Sequence, residues 1–141
     1  MTRIRVQYAA LPFRLVDGQP EVLLVTSRET KRWIIPKGKP EKGLSACEAA
    51  AQEAYEEAGV TGFVSTKAVA SFPSVKRLRS GIEVPAVVRV FLLDVQAILD
   101  DWPERTQRER GWMSPGEAAM RVTESGLVQL MLDFGALWNA A

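Results

Sequence analysis

The sequence predicts an α/β fold, a mixed β-sheet with helices packed on its faces. Three observations carry this. Several apolar segments rich in β-branched residues end at turn residues, as strands do. Ser45 to Ala58 is dominated by Ala and Glu, both strong helix formers. Near the C-terminus, Leu127, Leu130, Met131, Phe134, Leu137 and Trp138 recur at helical spacing. The chain has 141 residues, 47% of them hydrophobic and 25% charged. That suits one domain with one core, so residues 1–141 are read as a single domain.

The elements follow in order. Ile4 to Val16 reads as a strand that stops at the turn signal Asp17-Gly18. Glu21 to Thr26 reads as its hairpin partner. Trp33-Ile34-Ile35 is a short strand ended by Pro36, and a Gly/Lys/Pro loop runs from Pro36 to Gly43. The helix from Ser45 to Ala58 opens with a capping box, Ser45 and Glu48, and closes at Gly59. Leu44 and Ala49 stand where a hydrophobic staple would form. Gly62 to Phe72 and Val84 to Val95 read as strands joined by a basic loop with Lys76, Arg77 and Arg79. Asp100 to Arg110 is polar and reads as a loop, and Pro115 to Val122 as a short helix. The C-terminal stripe is expected to cover the sheet rather than bind a membrane or partner.

Composition excludes several chemistries. With no histidine, His-based triads and His-ligated zinc sites are ruled out. One cysteine, Cys47, excludes an internal disulfide. Acid–base or metal chemistry must rest on carboxylates, lysine, tyrosine or water. A formal net charge of +1 offers no bulk attraction to long nucleic acid or membrane. No uncharged run approaches the roughly 18 apolar residues of a membrane span. Met1 to Val16, interrupted by Arg3, Arg5 and Arg14, lacks the order of a signal peptide, so a cytoplasmic location is expected.

Charge is distributed unevenly. On a helix Glu53 lies beside both Glu56 and Glu57. No Lys or Arg stands between Ser45 and Ala58 to relieve these carboxylates. Taken alone, they are as well explained by a solvated acidic face as by a metal site. Just before the helix lie Arg28, Lys31, Arg32, Lys37, Lys39 and Lys42, opposed only by Glu29 and Glu41. A basic, glycine-containing loop leading into an acidic helix suits a metal–phosphate substrate. Carboxylates hold a hard cation such as Mg²⁺, while basic groups and backbone N–H groups hold phosphate.

Gly38 to Val60 resembles the Nudix box, G-x5-E-x7-R-E-U-x-E-E-x-G-U with U apolar. Gly38, Glu53, Ala54, Glu56, Glu57, Gly59 and Val60 fit at the required spacing. Leu44 stands where the family has Glu, and Gln52 where it has Arg. Those two side chains pair in the family, so losing both leaves no unpaired charge. Ser27-Arg28, Trp33 to Gly38, Trp102-Pro-Glu and Trp112 to Ala118 also resemble the family. They are similar to its branch acting on diphosphoinositol and dinucleoside polyphosphates.

The resemblance implies a Nudix-type α/β/α sandwich and hydrolysis of a phosphoanhydride bond. The substrate would be a nucleoside diphosphate derivative, a dinucleoside polyphosphate or a diphosphoinositol polyphosphate. It implies Mg²⁺, with Mn²⁺ as an alternative, held by Gly38 (through its carbonyl), Glu53, Glu56 and Glu57. Glu56 and Glu57 are the expected catalytic residues, and Glu83, Glu104 and Glu109 are candidates for the base outside the box. Arg28 and Lys37 are the expected phosphate contacts. For Lys76, Arg77 and Arg79 a solvated loop is the simpler reading. Trp33 is a candidate for base stacking, with core packing as the simpler role. The implied partner is a small phosphorylated molecule, and a homodimer is compatible with the family. The competing reading, resting on Leu44 and Gln52, is a phosphate-binding module with hydrolysis weakened.

Overall fold

The apolar run near the N-terminus forms β1 (Arg5–Val16), which turns back at Asp17-Gly18 into β2 (Gln19–Thr26). The computed structural model describes residues 3–139; the ends of the expected 1–141 domain, and Met1 and Thr2 of the N-terminal reading, lie outside them. Two short strands follow, β3 (Trp33–Ile34) and β4 (Lys37–Gly38), separated by Ile35-Pro36. Then comes α1 (Ala46–Glu53), extended by a π-helical turn over Ala54–Ala58. The rest comprises β5 (Val60–Val64), β6 (Ala70–Arg77), β7 (Glu83–Ile98), β8 (Arg110–Met113), α2 (Pro115–Arg121) and α3 (Ser125–Asn139).

All the strands join one sheet. Its main path runs β3-β2-β1-β7-β5, with β4 on β1, β6 on β7 and β8 on β2. β1 and β7 pair in parallel and the other pairs are antiparallel, so the sheet is mixed.

Alternation of side chains sorts the strands into two cores. On one face Ala9, Leu11, Val22, Leu24, Val88 and Val90 meet Ala118 of α2 and Leu127, Leu130, Met131 and Phe134 of α3. On the other, Ala10, Leu23, Val25, Phe91 and Leu93 meet Ala50, Ala54 and Ala58 of the acidic helix. Small alanines on that helix let it lie close to the sheet. The result is the α/β/α sandwich expected from the sequence, with Leu127, Leu130, Met131 and Phe134 of the C-terminal stripe buried in it; Leu137 and Trp138, expected to join them, are exposed, because they lie past the last turn of the helix that packs on the core.

Four local expectations change. Lys37–Gly38, inside the Pro36 to Gly43 stretch expected as a loop, is strand, because it pairs with Ala9 and Tyr8 of β1. Gly62 to Phe72 is two strands, because the chain leaves β7 after Val64. There Ser65 Oγ accepts from Leu92 N (3.0 Å) and donates to the Lys67 carbonyl (3.0 Å), making a local bend. The basic segment is largely strand, since Lys76 and Arg77 pair with Val84 and Glu83 of β7. Arg110 begins a strand, because the Leu23 and Leu24 edge of β2 is open to Trp112 and Gly111.

Leu11 is 0% exposed at the centre of the α2/α3 core. Leu11→Ala should lower stability by about 2–5 kcal/mol through lost transfer and cavity terms. Urea unfolding should show a lower midpoint at unchanged slope.

Candidate functional site

The acidic helix is held at both ends. At its start Glu48 Oε1 accepts from Ser45 N (2.8 Å), and Ser45 Oγ accepts from Glu48 N (3.3 Å). The Ser45 backbone N–H first, then the Ser45 side chain, hold the Glu48 carboxyl below its ordinary range. Glu48 is therefore a capping residue. Leu44, read as the outer half of a staple, is 38% exposed.

The helix end is closed by the polar loop that follows β7. The last carbonyls of a helix lack intrahelical donors. Glu104 N donates to the Glu56 carbonyl (3.0 Å), Trp102 Nε1 to that of Glu57 (3.2 Å) and Arg110 to that of Ala58 (2.9 Å). Arg110 also donates to the Leu99 carbonyl (2.8 Å) and lies over the Trp102 ring at 3.8 Å. Outside donors thus free the final turn to widen into its π form, a departure from the regular helix expected up to Ala58. Gly59 then leaves in the left-handed region, φ 66°. Trp102 and Arg110 pack where a side chain at Gly59 would go.

This widened turn carries the carboxylates. Oxygens of Glu41, Glu53 and Glu56 lie within 4.8 Å of one another. Glu57 is buried, 4% exposed, beside Glu53. Burial first, then its hydrogen bond with Glu53, pushes the Glu57 carboxyl up to about 9, against the pull of Arg108. Burial also raises Glu53, reinforced by Glu56, Glu41 and Glu104. Burial and mutual repulsion therefore disfavour two charges on this pair, most strongly at the more deeply buried Glu57. Arg108 reaches Glu57 Oε1 at 3.7 Å, pairs with Glu104 Oε1 at 2.8 Å and donates to the Thr26 carbonyl at 3.1 Å. Gly38 faces this group, because a Cβ there would collide with the Glu53 carboxylate. The donor set fits a hard divalent cation, since it offers only oxygens and carries more negative charge than Arg108 offsets.

Beside the carboxylates opens a cleft of about 640 Å³. Arg28, Lys37, Arg77, Arg79 and Arg108 line it, against Glu29 and Glu57. Arg28 rides on a built loop in which Ser27 Oγ bonds Thr30 Oγ1 and accepts from Arg32 N (3.0 Å). Its guanidinium donates to Gln107 Oε1 at 3.3 Å. Arg77 approaches Glu29 at 3.9 Å. The predicted Arg28, Lys37 and Glu57 thus share one cleft. Gly38, Glu53 and Glu56 lie next to it through their chain neighbours.

Several sequence expectations are refined. Arg77 and Arg79, for which a solvated loop was the simpler reading, line the cleft, while Lys76 does not. Trp33 packs on the α2/α3 core and is not a cleft residue. Glu104 joins the carboxylates through Arg108, whereas Glu83 of β7 pairs in register with Arg77 of β6. Leu44 and Gln52 are exposed and line no part of the cleft. Glu41, Arg108 and Gln7 were missed. Glu41 stands alone among lysines, and Gln7 is the one polar residue between Val6 and Leu11 other than Tyr8, so each left a faint signal.

The raised Glu57 has a consequence for stability. Its folded pKa lies above its unfolded value of 4.5. As pH rises through that value the unfolded chain loses a proton that the folded chain keeps until about 9. Without metal, the midpoint of thermal unfolding should therefore fall steadily from pH 5 to 9. Glu57→Gln should flatten that slope in a calorimetric series; an unchanged slope would place the proton elsewhere.

Comparison with known proteins agrees with this architecture. A family model described as NUDIX domain matches residues 6–132. The chain is 36% identical over 102 residues to "Nudix hydrolase 12, mitochondrial" of Arabidopsis thaliana, covering 70% of this chain and 50% of that protein. It is 35% identical over 113 residues to "Diphosphoinositol polyphosphate phosphohydrolase 2" of Rattus norvegicus, covering 78% and 58%. The chain thus spans about half the length of these curated relatives. Among solved structures, a C. elegans Ap4A hydrolase binary complex superimposes with a TM-score of 0.68 at 19% identity, over 98% of this chain and 100% of that one. At that identity the likeness concerns the fold alone. With the family model covering most of its length, this chain belongs to the Nudix family.

Proposed function

We propose that this chain is a divalent-cation-dependent hydrolase that breaks a phosphoanhydride bond in a small, highly phosphorylated molecule, acting as one domain over residues 1–141. The observation that carries the reading is the carboxylate group of Glu41, Glu53, Glu56 and Glu57 beside a cleft lined by five cationic side chains. The relatives' names give the substrate classes to test: diphosphoinositol polyphosphates and dinucleoside polyphosphates such as Ap4A, with nucleoside diphosphate derivatives beside them.

Glu53, Glu56, Glu57 and the Gly38 carbonyl would hold Mg²⁺ or Mn²⁺. When bound, the cation neutralises phosphate charge and makes a water a better nucleophile. The chain's own groups do the rest. Arg28 and Lys37 hold the phosphates, with Arg77 and Arg79 extending that surface; arginine's fork suits phosphate oxygens. Water attacks one phosphorus, the anhydride P–O bond breaks, and a carboxylate of the group accepts the water's proton. Glu56 orients the water, while Arg108 keeps Glu57 and Glu104 in place. The exposed positions of Leu44 and Gln52, away from the cleft, favour hydrolysis over a binding module.

Product release with Mg²⁺ should be seen for one of the three substrate classes and should vanish with a chelator. Glu57→Gln should lower kcat/KM by about 10²- to 10³-fold, the factor that several kcal/mol of lost charge stabilisation gives. Binding without turnover across the panel would instead support the binding module. Gly38→Ala, which displaces the Glu53 carboxylate, should weaken Mg²⁺ binding by about 10- to 100-fold in titration calorimetry. Unchanged affinity would remove Gly38 and Glu53 from the metal site.

A further inference from the structure

Gln7 breaks the pattern of the sheet face that carries it. Ala9 and Leu11 follow it on the same side of β1, and both are 0% exposed. Across β7 its register partner is Val88, paired in turn with Phe72 of β6. All four neighbours belong to one apolar core. In this row Gln7 is only 7% exposed, and its Oε1 is enclosed with no hydrogen-bond partner among the described residues. An orphaned buried amide oxygen is costly, so an apolar residue would serve the fold better. Yet Gln7 also lines the cleft, together with Arg28, Lys37, Glu57 and Arg108.

The cleft's cations can satisfy phosphates, whose oxygens are chiefly hydrogen-bond acceptors at neutral pH and above. An amide oxygen needs the opposite, a donor. Sugar hydroxyls and base N–H groups are donors; a polyol with phosphate on every hydroxyl has no free hydroxyl or N–H. The last side-chain torsion of glutamine is soft, so the amide can turn to bring its oxygen to such a group in the cleft.

We propose that Gln7 is a specificity-determining residue whose Oε1 accepts a hydrogen bond from a hydroxyl or N–H of the substrate's nucleoside portion. The cleft then favours nucleoside-bearing anhydrides over polyols phosphorylated at every hydroxyl. This rests on the hydrolase reading and names the substrate class for that same site.

The test is binding at pH 8 of two probes that cannot turn over: a methylene-bridged diadenosine tetraphosphate and inositol hexakisphosphate. Gln7→Leu should weaken the nucleoside probe by about tenfold, as expected for one lost hydrogen bond, and leave the polyol within about twofold. Gln7→Met, closer in length to glutamine, should do the same. Neither variant should lower the melting temperature of the ligand-free protein, since each removes an orphaned group. Equal weakening of both probes would mean the amide donates to phosphate. No change for either would mean that a trapped water satisfies it. Each result would overturn the proposal, as would failure of the unaltered chain to bind the nucleoside probe. Turnover of the unmodified substrates is read separately. A binding contrast without turnover would sink the hydrolase reading and leave the role of Gln7 standing.

Discussion

Glu57 is buried against a second carboxylate, and much of the surrounding structure can be understood from the cost of that arrangement. Burial disfavours its charge, and Glu53 beside it adds repulsion. One cation, Arg108, reaches it, and that guanidinium is itself fixed by Glu104 and by the Thr26 carbonyl. Three separate segments therefore converge on one carboxyl: the end of β2, the loop after β7 and the acidic helix. What Arg108 does not offset favours a retained proton, or a divalent cation in its place.

The same loop gives the helix its unusual end. Glu104, Trp102 and Arg110 take the carbonyls of Glu56, Glu57 and Ala58 from outside. A helix capped by its own chain would keep a regular last turn. Here the turn can open, and the opening carries Glu56 and Glu57. Arg110 also suits the negative end of the helix dipole. The polar stretch from Asp100 to Arg110 is therefore structural, although nothing in its composition marks it as more than a loop.

The cleft depends on the sheet. Parallel pairing of β1 with β7 leaves the β6–β7 turn on the same side as the β2–β3 loop and β4. Arg28, Lys37, Arg77, Arg79 and Arg108 come from four stretches of chain, yet they surround one space. A near-neutral protein thereby presents a locally basic wall next to an acidic group, an arrangement suited to a metal–phosphate ligand and poorly suited to a long nucleic acid.

Much of this was legible in the sequence, for reasons that are local. The Ser45/Glu48 box, the alanines of the acidic helix, the Asp17-Gly18 turn and the C-terminal stripe each act within a few residues, where spacing alone sets geometry. The box glutamates were legible because they fit a fixed spacing. The pairing of Arg108 with Glu57 was not, because the two lie far apart in sequence and meet only when β8 adds to β2. The arrival of Arg77 and Arg79 at the cleft was hidden for the same reason, as was the inward side of Gln7, which strand register decides. The sequence by itself determined the principal helices and long strands and which residues could bind a cation or a phosphate, whereas the short strands β4 and β8 form only where a neighbouring strand offers them an edge. Only the tertiary structure decided which of those residues share a site and which carry a buried charge, because both depend on long-range contacts that no local pattern encodes.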